Sequence, residues 1–188
     1  SGPHHPFRYA RRSHPSISLM NLDSEKQSKL QACRQFSGPA SEFWTHYCAL
    51  LRPFGEADKT CILVKNDKGQ WQALASSPEG SGKLQLPIAL ADESFDLWIE
   101  QAKASGISLS STDPVREGTA CLMALQTGTP TEVFALLHLS DAPAAHFESR
   151  LDLLLSLSDV PANYTRNVQL NQSMEDIRRC VETLDTLN

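Results

Sequence analysis

A thiol and an imidazole stand in two neighbouring apolar segments and are the residues best suited to covalent chemistry. Cys121 lies in residues 119–125 and His138 in residues 132–139. An imidazole close to a thiol can lower the thiol's pKa and so produce a nucleophile. The sequence offers no third group to orient the imidazole and no nearby glycine turn of the oxyanion type. The pattern therefore favours core packing and no enzymatic activity, with a thiol-dependent enzyme or redox sensor as the alternative.

A glycine-rich stretch resembles the end of a phosphate-binding loop. It reads Gly80-Ser81-Gly82-Lys83, but the Walker pattern needs a glycine where Ser77 stands and a serine or threonine where Leu84 stands. The stretch is therefore interpreted as a surface loop.

The histidines and cysteines lack the spacing of a metal site. Three histidines fall within the first 19 residues, and the other three, His46, His138 and His146, are far apart. The five cysteines, at 33, 48, 61, 121 and 180, form no C-x-x-C pair. An odd number of widely spaced thiols is typical of free cysteines in a reducing compartment, so we expect neither metal nor disulfides. The residues do not identify a cofactor.

Two tryptophans are the side chains most suited to contact a ligand. Trp71 and Trp98 each lie in a segment with strand or helix periodicity. Binding pockets often combine an aromatic wall with a few polar groups, although each tryptophan equally suits a core position.

Composition limits the class of protein. Residues 1–19 have no apolar periodicity and are interpreted as a disordered, added leader before a natural start at Met20. That leader holds three of the 17 basic residues and none of the 22 acidic ones, which leaves 14 against 22, a formal net charge of −8. Such a charge disfavours a nucleic-acid partner. No apolar run is long enough to insert into a membrane, so we expect one soluble, cytoplasmic domain.

Periodicity in the first half predicts two helices and a hairpin. Residues 26–36 form a helix that buries Leu30 and Cys33. Residues 41–51 form a second helix, with Pro53 and Gly55 as its stop and an apolar face made by Phe43, Trp44, Tyr47, Cys48 and Leu51. Residues 60–65 and 70–75 alternate as strands around the turn sequence Asn66-Asp67-Lys68-Gly69.

The second half alternates between strand and helix patterns. Residues 76–83 read as a loop and 84–90 as a short edge strand. Asp92 caps a helix that ends at Gly106, with its apolar positions at Phe95, Trp98, Ile99 and Ala102. Residues 108–118 form a polar connection, and 119–125 and 132–139 form a second hairpin. From residue 142 the pattern is helical, with a kink or a junction of two helices at 159–161, where Pro161 interrupts it.

The last helix carries a short heptad stripe. Its apolar residues are spaced by 4, 3, 4 and 3, namely Leu170, Met174, Ile177, Val181 and Leu184. We expect these residues to form the interface of a parallel homodimer, and the chain to stop inside a helix that continues. The alternative is that the tail folds back on the helix at 26–36 of the same chain.

The order of these elements resembles a GAF domain. The segment that carries the resemblance is Glu132-Val133-Phe134-Ala135-Leu136-Leu137-His138-Leu139-Ser140-Asp141, followed by Phe147 and Leu151-Asp152-Leu153-Leu154-Leu155. In that family a last strand, a small-residue turn, a phenylalanine and a leucine-rich helix follow in this order. The resemblance implies an α+β fold, an antiparallel sheet flanked by N- and C-terminal helices, with PAS-like as the alternative. The resemblance covers about residues 40–170, and we expect a domain at 20–165 followed by a signalling or coiled-coil helix at 166–188.

The resemblance implies a regulatory sensory domain of a larger signalling or transport protein. A small molecule would bind between the sheet and the inserted helix, with Trp71, Trp98, Cys121 and His138 as candidate contacts. A shift of residues 92–105 or 106–118 would then pass to the C-terminal helix. The residue set of cyclic-nucleotide-binding members is absent, and no cysteine is placed for a bilin, so neither ligand is expected. The alternative is a ligand-free dimerisation or protein-interaction module.

Overall fold

The computed structural model describes residues 7–9, 24–79, 93–112, 118–139 and 144–187. Within these ranges the chain forms six strands and six helices. The strands are β1 Phe7–Tyr9, β2 Lys59–Lys65, β3 Trp71–Ser77, β4 Ile107–Thr112, β5 Gly118–Leu125 and β6 Val133–Leu139. The helices are α1 Ser24–Gln35, α2 Ala40–Gly55, α3 Glu93–Ser105, α4 Ala144–Glu148, α5 Leu151–Ser156 and α6 Val160–Leu187.

The strands form one antiparallel sheet with helices on both faces. Its order is β1-β4-β5-β6-β2-β3, and every neighbouring pair is antiparallel. Successive side chains of a strand point to opposite faces, so each strand contributes to two separate cores. We call these the α2 face, which is covered by α1, α2, α4, α5 and the start of α6, and the α3 face, which is covered by α3. The α+β fold with flanking terminal helices is confirmed.

The larger core lies on the α2 face. Helix α2 buries an apolar stripe that includes Phe43, Tyr47 and Leu51, none of which is exposed to solvent. The Tyr47 hydroxyl lies within this core and donates a hydrogen bond to the Leu157 carbonyl at 2.7 Å. This bond satisfies a buried polar group and fixes the end of α5 against α2.

Of the two residues predicted to stop α2, Pro53 lies inside the helix and Gly55 is its last residue. A proline in the last turn removes only its own N–H bond, which costs less there than in mid-helix. Glu56, the residue after the helix, has a φ of 47°, and its N–H donates to the Pro53 carbonyl, while the Ala57 N–H donates to the Arg52 carbonyl. That pair of bonds is a Schellman ending.

Both predicted hairpins are confirmed. In the first, the Asn66 side-chain oxygen accepts hydrogen bonds from the backbone of Lys68 and Gln70 at 3.0 and 2.9 Å, and Gly69 has a φ of 77°. The second pairs β5 with β6. The predicted helix junction is also present, because Pro161 is the second residue of α6, where its missing N–H is not needed.

Two predictions for the other edge of the sheet are wrong. Residues 107–112, which we assigned mostly to a polar connection, form β4 and pair with β5. Residues 7–9, expected in a disordered leader, pair with β4 as β1. The outer side of β4 presents unpaired backbone groups, which an extended segment can satisfy. The predicted strand at 84–90, the glycine-rich loop at 80–83 and the Asp92 cap lie outside the described residues.

The first two turns of α6 are held from two sides. On one side the Asn167 amide donates to the Arg34 carbonyl at 2.8 Å, and the Tyr164 hydroxyl donates to the Gly38 carbonyl at 2.7 Å. On the other side the Thr165 hydroxyl donates to the Thr127 carbonyl at 2.7 Å, in the turn between β5 and β6. From 168 to 187 no residue of α6 is buried. The helix therefore leaves the domain after Asn167.

Candidate functional site

Four aromatic side chains meet on the α3 face. This aromatic cluster consists of Trp71 on β3, Phe134 on β6, and Phe95 and Trp98 on α3. Trp71 lies 5.6 Å from both Phe95 and Phe134 between ring centroids, in edge-on contact, and Phe95 lies 6.1 Å from Trp98 in the same geometry. Edge-to-face contacts of this kind are favourable between aromatic rings. Helix α3 brings its two rings together because positions 95 and 98 are one turn apart.

Three members of the cluster are core residues, whereas Trp71 reaches the surface. Phe95, Trp98 and Phe134 are at most 1% exposed. The Trp98 indole N–H also donates to the Ser108 carbonyl at 3.3 Å, which ties α3 to β4. Trp71 is only half-buried, and the Lys65 ammonium group lies 5.7 Å from the centre of its ring. The exposed edge of the cluster thus combines an aromatic surface with a positive charge.

His138 and Cys61 lie on the same face of the sheet as the cluster. The β2–β6 register pairs Lys59 with His138 and Cys61 with Leu136, and Cys61 packs against the α3-face core. Burial lowers the pKa of His138 from its ordinary value, with Asp58 opposing that shift and Lys59 adding to it. The imidazole is therefore neutral at physiological pH and can either donate or accept a hydrogen bond.

Cys121 does not lie with the other candidate contacts. The β5–β6 register pairs Ala120 with His138 and Cys121 with Leu137, so the thiol and the imidazole point to opposite faces of the sheet. Cys121 is fully buried in the α2-face core, and burial raises the pKa of its thiol far above the ordinary value. The sheet thus separates the two groups of the candidate thiol–imidazole pair.

The five cysteines differ enough in exposure for selective labelling. Cys180 is exposed, whereas burial raises the pKa of Cys33 to about 11 and the pKa values of Cys48 and Cys61 to about 12. We expect iodoacetamide at neutral pH to modify Cys180 first and to leave Cys121 unmodified, because the thiolate is the reactive form. Peptide mass spectrometry checks this, with urea-unfolded protein as the control in which all five react. Rapid alkylation of native Cys121 would restore the case for thiol chemistry.

Sequence reasoning did not assign Phe95, Phe134, Cys61 or Lys65 to this site. The period-2 alternation of β2 could have placed Cys61 and Lys65 on one face of that strand. Placing them beside Trp71 and His138 also requires the register between strands, which no local pattern supplies.

A second concavity lies between α1 and α2, on the other side of the sheet. It is an open, apolar groove of about 410 Å³, lined by Lys29, Ala32, Cys33, Phe36, His46, Ala49, Leu50 and Pro53. The polar groups at the groove are the ends of Lys29 and His46 and the high-pKa thiol of Cys33. The groove has no direct contact with the aromatic cluster.

The described residues hold neither a metal-type cluster nor a membrane-spanning helix. No cluster of three or more histidine, cysteine or acidic side chains there has the arrangement of a metal site. In the same part of the chain, no helix combines the length and apolarity needed to cross a bilayer.

Comparison with known proteins identifies the fold by structure alone. No family model matches the sequence, and no curated protein matches it. A GAF domain assigned to a sensor histidine kinase of Pseudomonas syringae pv. tomato is 16% identical, covers 86% of this chain and 99% of its own, and has a TM-score of 0.52. The phycoerythrobilin-bound GAF domain of a cyanobacterial phytochrome is 13% identical, covers 80% and 100%, and has a TM-score of 0.50. The cyanobacteriochrome TePixJ GAF domain is 10% identical, covers 73% and 95%, and has a TM-score of 0.50. The chain therefore has a GAF-like fold.

Proposed function

We propose that the chain is a sensory domain that binds a small molecule on the α3 face and relays its presence through α6. The observation that carries the proposal is the partly exposed side chain of Trp71 at the edge of an otherwise buried aromatic cluster. Ligand sites are lined mainly by apolar and aromatic side chains, with a few polar groups that orient the ligand. The domain would serve a larger signalling protein, as the sensor histidine kinase domain of similar fold would.

The chemistry around Trp71 favours a flat, mainly apolar ligand with an anionic group. The ring of Trp71 can stack on a conjugated ligand, and the Lys65 ammonium beside it can pair with a carboxylate. His138 adds a neutral imidazole on the same face. One domain of similar fold carries phycoerythrobilin, a large conjugated molecule.

A route from the cluster to α6 supports the relay. Phe134 contacts Trp71 and belongs to β6, one residue beyond the first position of that strand. The turn that precedes β6 accepts the Thr165 hydrogen bond at Thr127. A ligand that moved Phe134 would therefore act on the same hairpin that holds α6.

Native mass spectrometry of the purified chain tests the ligand site. We expect a co-purified or added aromatic carboxylate to bind the parent chain and to be lost in Trp71→Ala. Leu74→Ala is the matched control, since Leu74 is exposed on the same strand and lies outside the cluster. Equal binding by the parent and Trp71→Ala, or no binding to the parent, would contradict the proposal.

Two further assignments accompany this proposal. We propose no catalytic role, since Cys121 and His138 face opposite sides of the sheet. We also place the domain in the cytoplasm, where the free thiols would stay reduced.

A ligand-free interaction module is the second candidate function. The observation in its favour is the row of apolar side chains that α6 exposes beyond the domain. Surfaces of this kind on a soluble protein are frequently sites of protein–protein contact.

A further inference from the structure

The concavity between the first two helices, which we call the α1–α2 groove, is open to solvent and apolar inside. Its floor is made by Cys33 and Leu50, which are 6% and 5% exposed, and the exposed alanines Ala32 and Ala49 also line it. Small side chains at these two positions leave space between the helices. The volume of about 410 Å³ lies within the range of small-molecule sites, and exposed apolar concavities on soluble proteins frequently bind ligands.

The groove is about 10 Å long. Helices α1 and α2 run in opposite directions, because the Phe36 ring after the end of α1 lies 5.1 Å from that of His46, whereas Lys26 near the start of α1 lies over the Phe54 ring. The lining covers residues 29–36 and an equal length of α2, which is seven steps of about 1.5 Å each. An unbranched alkyl chain of medium length fits a groove of this length with an apolar floor.

Lysine side chains mark one end of the groove. Lys29 lines it, and the Lys26 ammonium group lies one turn earlier, 5.9 Å from the centre of the Phe54 ring. Lys29 also pairs with Glu25 at 3.2 Å, but both side chains are largely exposed, at 60 and 79%. An exposed ion pair of this kind contributes little free energy, so a ligand carboxylate can take the place of Glu25. This end of the groove therefore favours an anionic group.

The other end of the groove adjoins the part of α6 that the domain holds. Phe36 lines the groove there, and its ring lies 6.1 Å from that of Tyr164 between centroids. The Phe36 carbonyl also accepts a hydrogen bond from the Asn167 amide at 3.3 Å. An occupant that moved Phe36 would therefore act on α6 directly, from the side of the sheet opposite the aromatic cluster.

We propose that the α1–α2 groove binds an aliphatic carboxylate of medium chain length. Its carboxylate lies at Lys29, and its alkyl chain runs over Leu50 and Cys33 towards Phe36. Burial of the alkyl chain supplies the affinity, and the lysine fixes the direction of the chain. The groove and the aromatic cluster are on opposite sides of the sheet, so this site does not depend on the ligand proposed for the α3 face.

Calorimetric titration of the whole chain with linear carboxylates, below the concentrations at which they form micelles, tests the site. We expect saturable binding that strengthens about two- to fourfold per methylene from hexanoate to decanoate and then levels off, once the chain exceeds the groove. A fully buried methylene contributes about fourfold, and one that keeps a solvent-exposed side contributes less. No binding of decanoate, or an affinity that rises by the same factor through tetradecanoate, would overturn the proposal.

Two substitutions separate the groove from its surroundings. Ala49→Phe fills the groove and should weaken decanoate binding at least tenfold, whereas Ala40→Phe should bind as the parent does. Ala40 is the matched control because it is exposed on the same helix, and its distance of nine residues places it on the opposite side of α2. Circular dichroism verifies that both variants fold. Equal binding by Ala49→Phe and the parent chain would contradict the groove as the site.

A change of charge tests the position of the carboxylate. Lys29→Gln should weaken decanoate binding about two- to fivefold, the range of an exposed ion pair. Lys68→Gln removes an equally exposed lysine in the first hairpin turn and should leave the affinity unchanged. Equal affinities in the two variants would refute the placement of the carboxylate at Lys29.

Cys33 reports where the ligand binds. It lines the groove, whereas Cys61 packs on the α3 face and Cys180 is exposed on α6. We expect saturating decanoate to slow alkylation of Cys33 at least fivefold and to leave the rates of Cys61 and Cys180 unchanged, as measured by peptide mass spectrometry. Protection of Cys61 or Cys180 instead would place the ligand elsewhere and overturn the proposal. Protection of Cys33 by higher protein concentration alone would identify a second copy as the occupant, which also overturns it.

Discussion

Replacing Trp98 with alanine is expected to lower the free energy of unfolding by about 3–5 kcal/mol, as for other large aromatic residues lost from a core. Trp98 is 1% exposed and packs α3 against the sheet, and its indole donates to the Ser108 carbonyl. The substitution removes both the packing and this donor. Urea unfolding followed by circular dichroism measures the change.

Leu97→Ala is the control for this prediction, because Leu97 is the next residue of α3 but is 51% exposed. Its effect should stay within about 0.5 kcal/mol, as for most surface substitutions. A loss below about 1 kcal/mol in Trp98→Ala would mean that α3 contributes little packing energy to the sheet.

Phe43→Ala is expected to cost a similar amount, about 3–5 kcal/mol, on the opposite face of the sheet. Phe43 is fully buried and stacks on Tyr164 at 4.2 Å and on Tyr47 at 5.7 Å between ring centroids. It therefore joins α2 to the first turns of α6. Urea unfolding of Phe43→Ala measures the loss, with exposed Glu42→Ala as its control.

A double-mutant cycle separates the stacking on Tyr164 from the rest of that loss. Phe43→Ala and Tyr164→Ala should be non-additive by about 0.5–1.5 kcal/mol, the range of an aromatic pair beyond its buried area. Additive effects of the two substitutions would show that the stacked geometry adds nothing to simple burial.

The elements that could be predicted from sequence are those whose signal is local. The apolar repeat of Phe43, Tyr47 and Leu51 predicts α2, and Asn66 with Gly69 predicts the first turn, because periodicity and turn chemistry act over a few residues. The same holds for the apolar stripe of α6 from Leu170 to Leu184, which the spacing of its residues alone predicts.

Strand β4 was missed because its serines resemble those of a loop. Ser108 is buried on the α3 face, while Ile107 and Leu109 are buried on the α2 face. A serine can occupy a buried strand when neighbouring elements provide hydrogen-bond partners for it. Those partners come from the tertiary structure and leave no local signal in the sequence. The polar pattern therefore predicted a connection where the sheet requires a strand.

Which residues share the candidate site depends on the pairing register between neighbouring strands. Trp71, Trp98 and His138 share a face, and Cys121 does not, although all four lie in segments whose type was predicted. A shift of one residue in the β5–β6 pairing would reverse the face of Cys121 relative to His138. The seven residues between β5 and β6 do not fix that register as a two-residue turn would.

Hydrogen bonds hold the first two turns of α6 on two sides, so the rest of the helix would pivot about them as a rigid rod. Twenty residues beyond Asn167 correspond to about 30 Å of helix. A tilt of about 5° at the hydrogen-bonded first turns would therefore displace the far end by about 2.6 Å. The pivot point lies between the Arg34 and Thr127 carbonyls, which accept hydrogen bonds from the Asn167 amide and the Thr165 hydroxyl. A small rearrangement of the β5–β6 turn that leaves the core intact would thus move the end of α6. The movement would be comparable to the rise of nearly two residues along a helix.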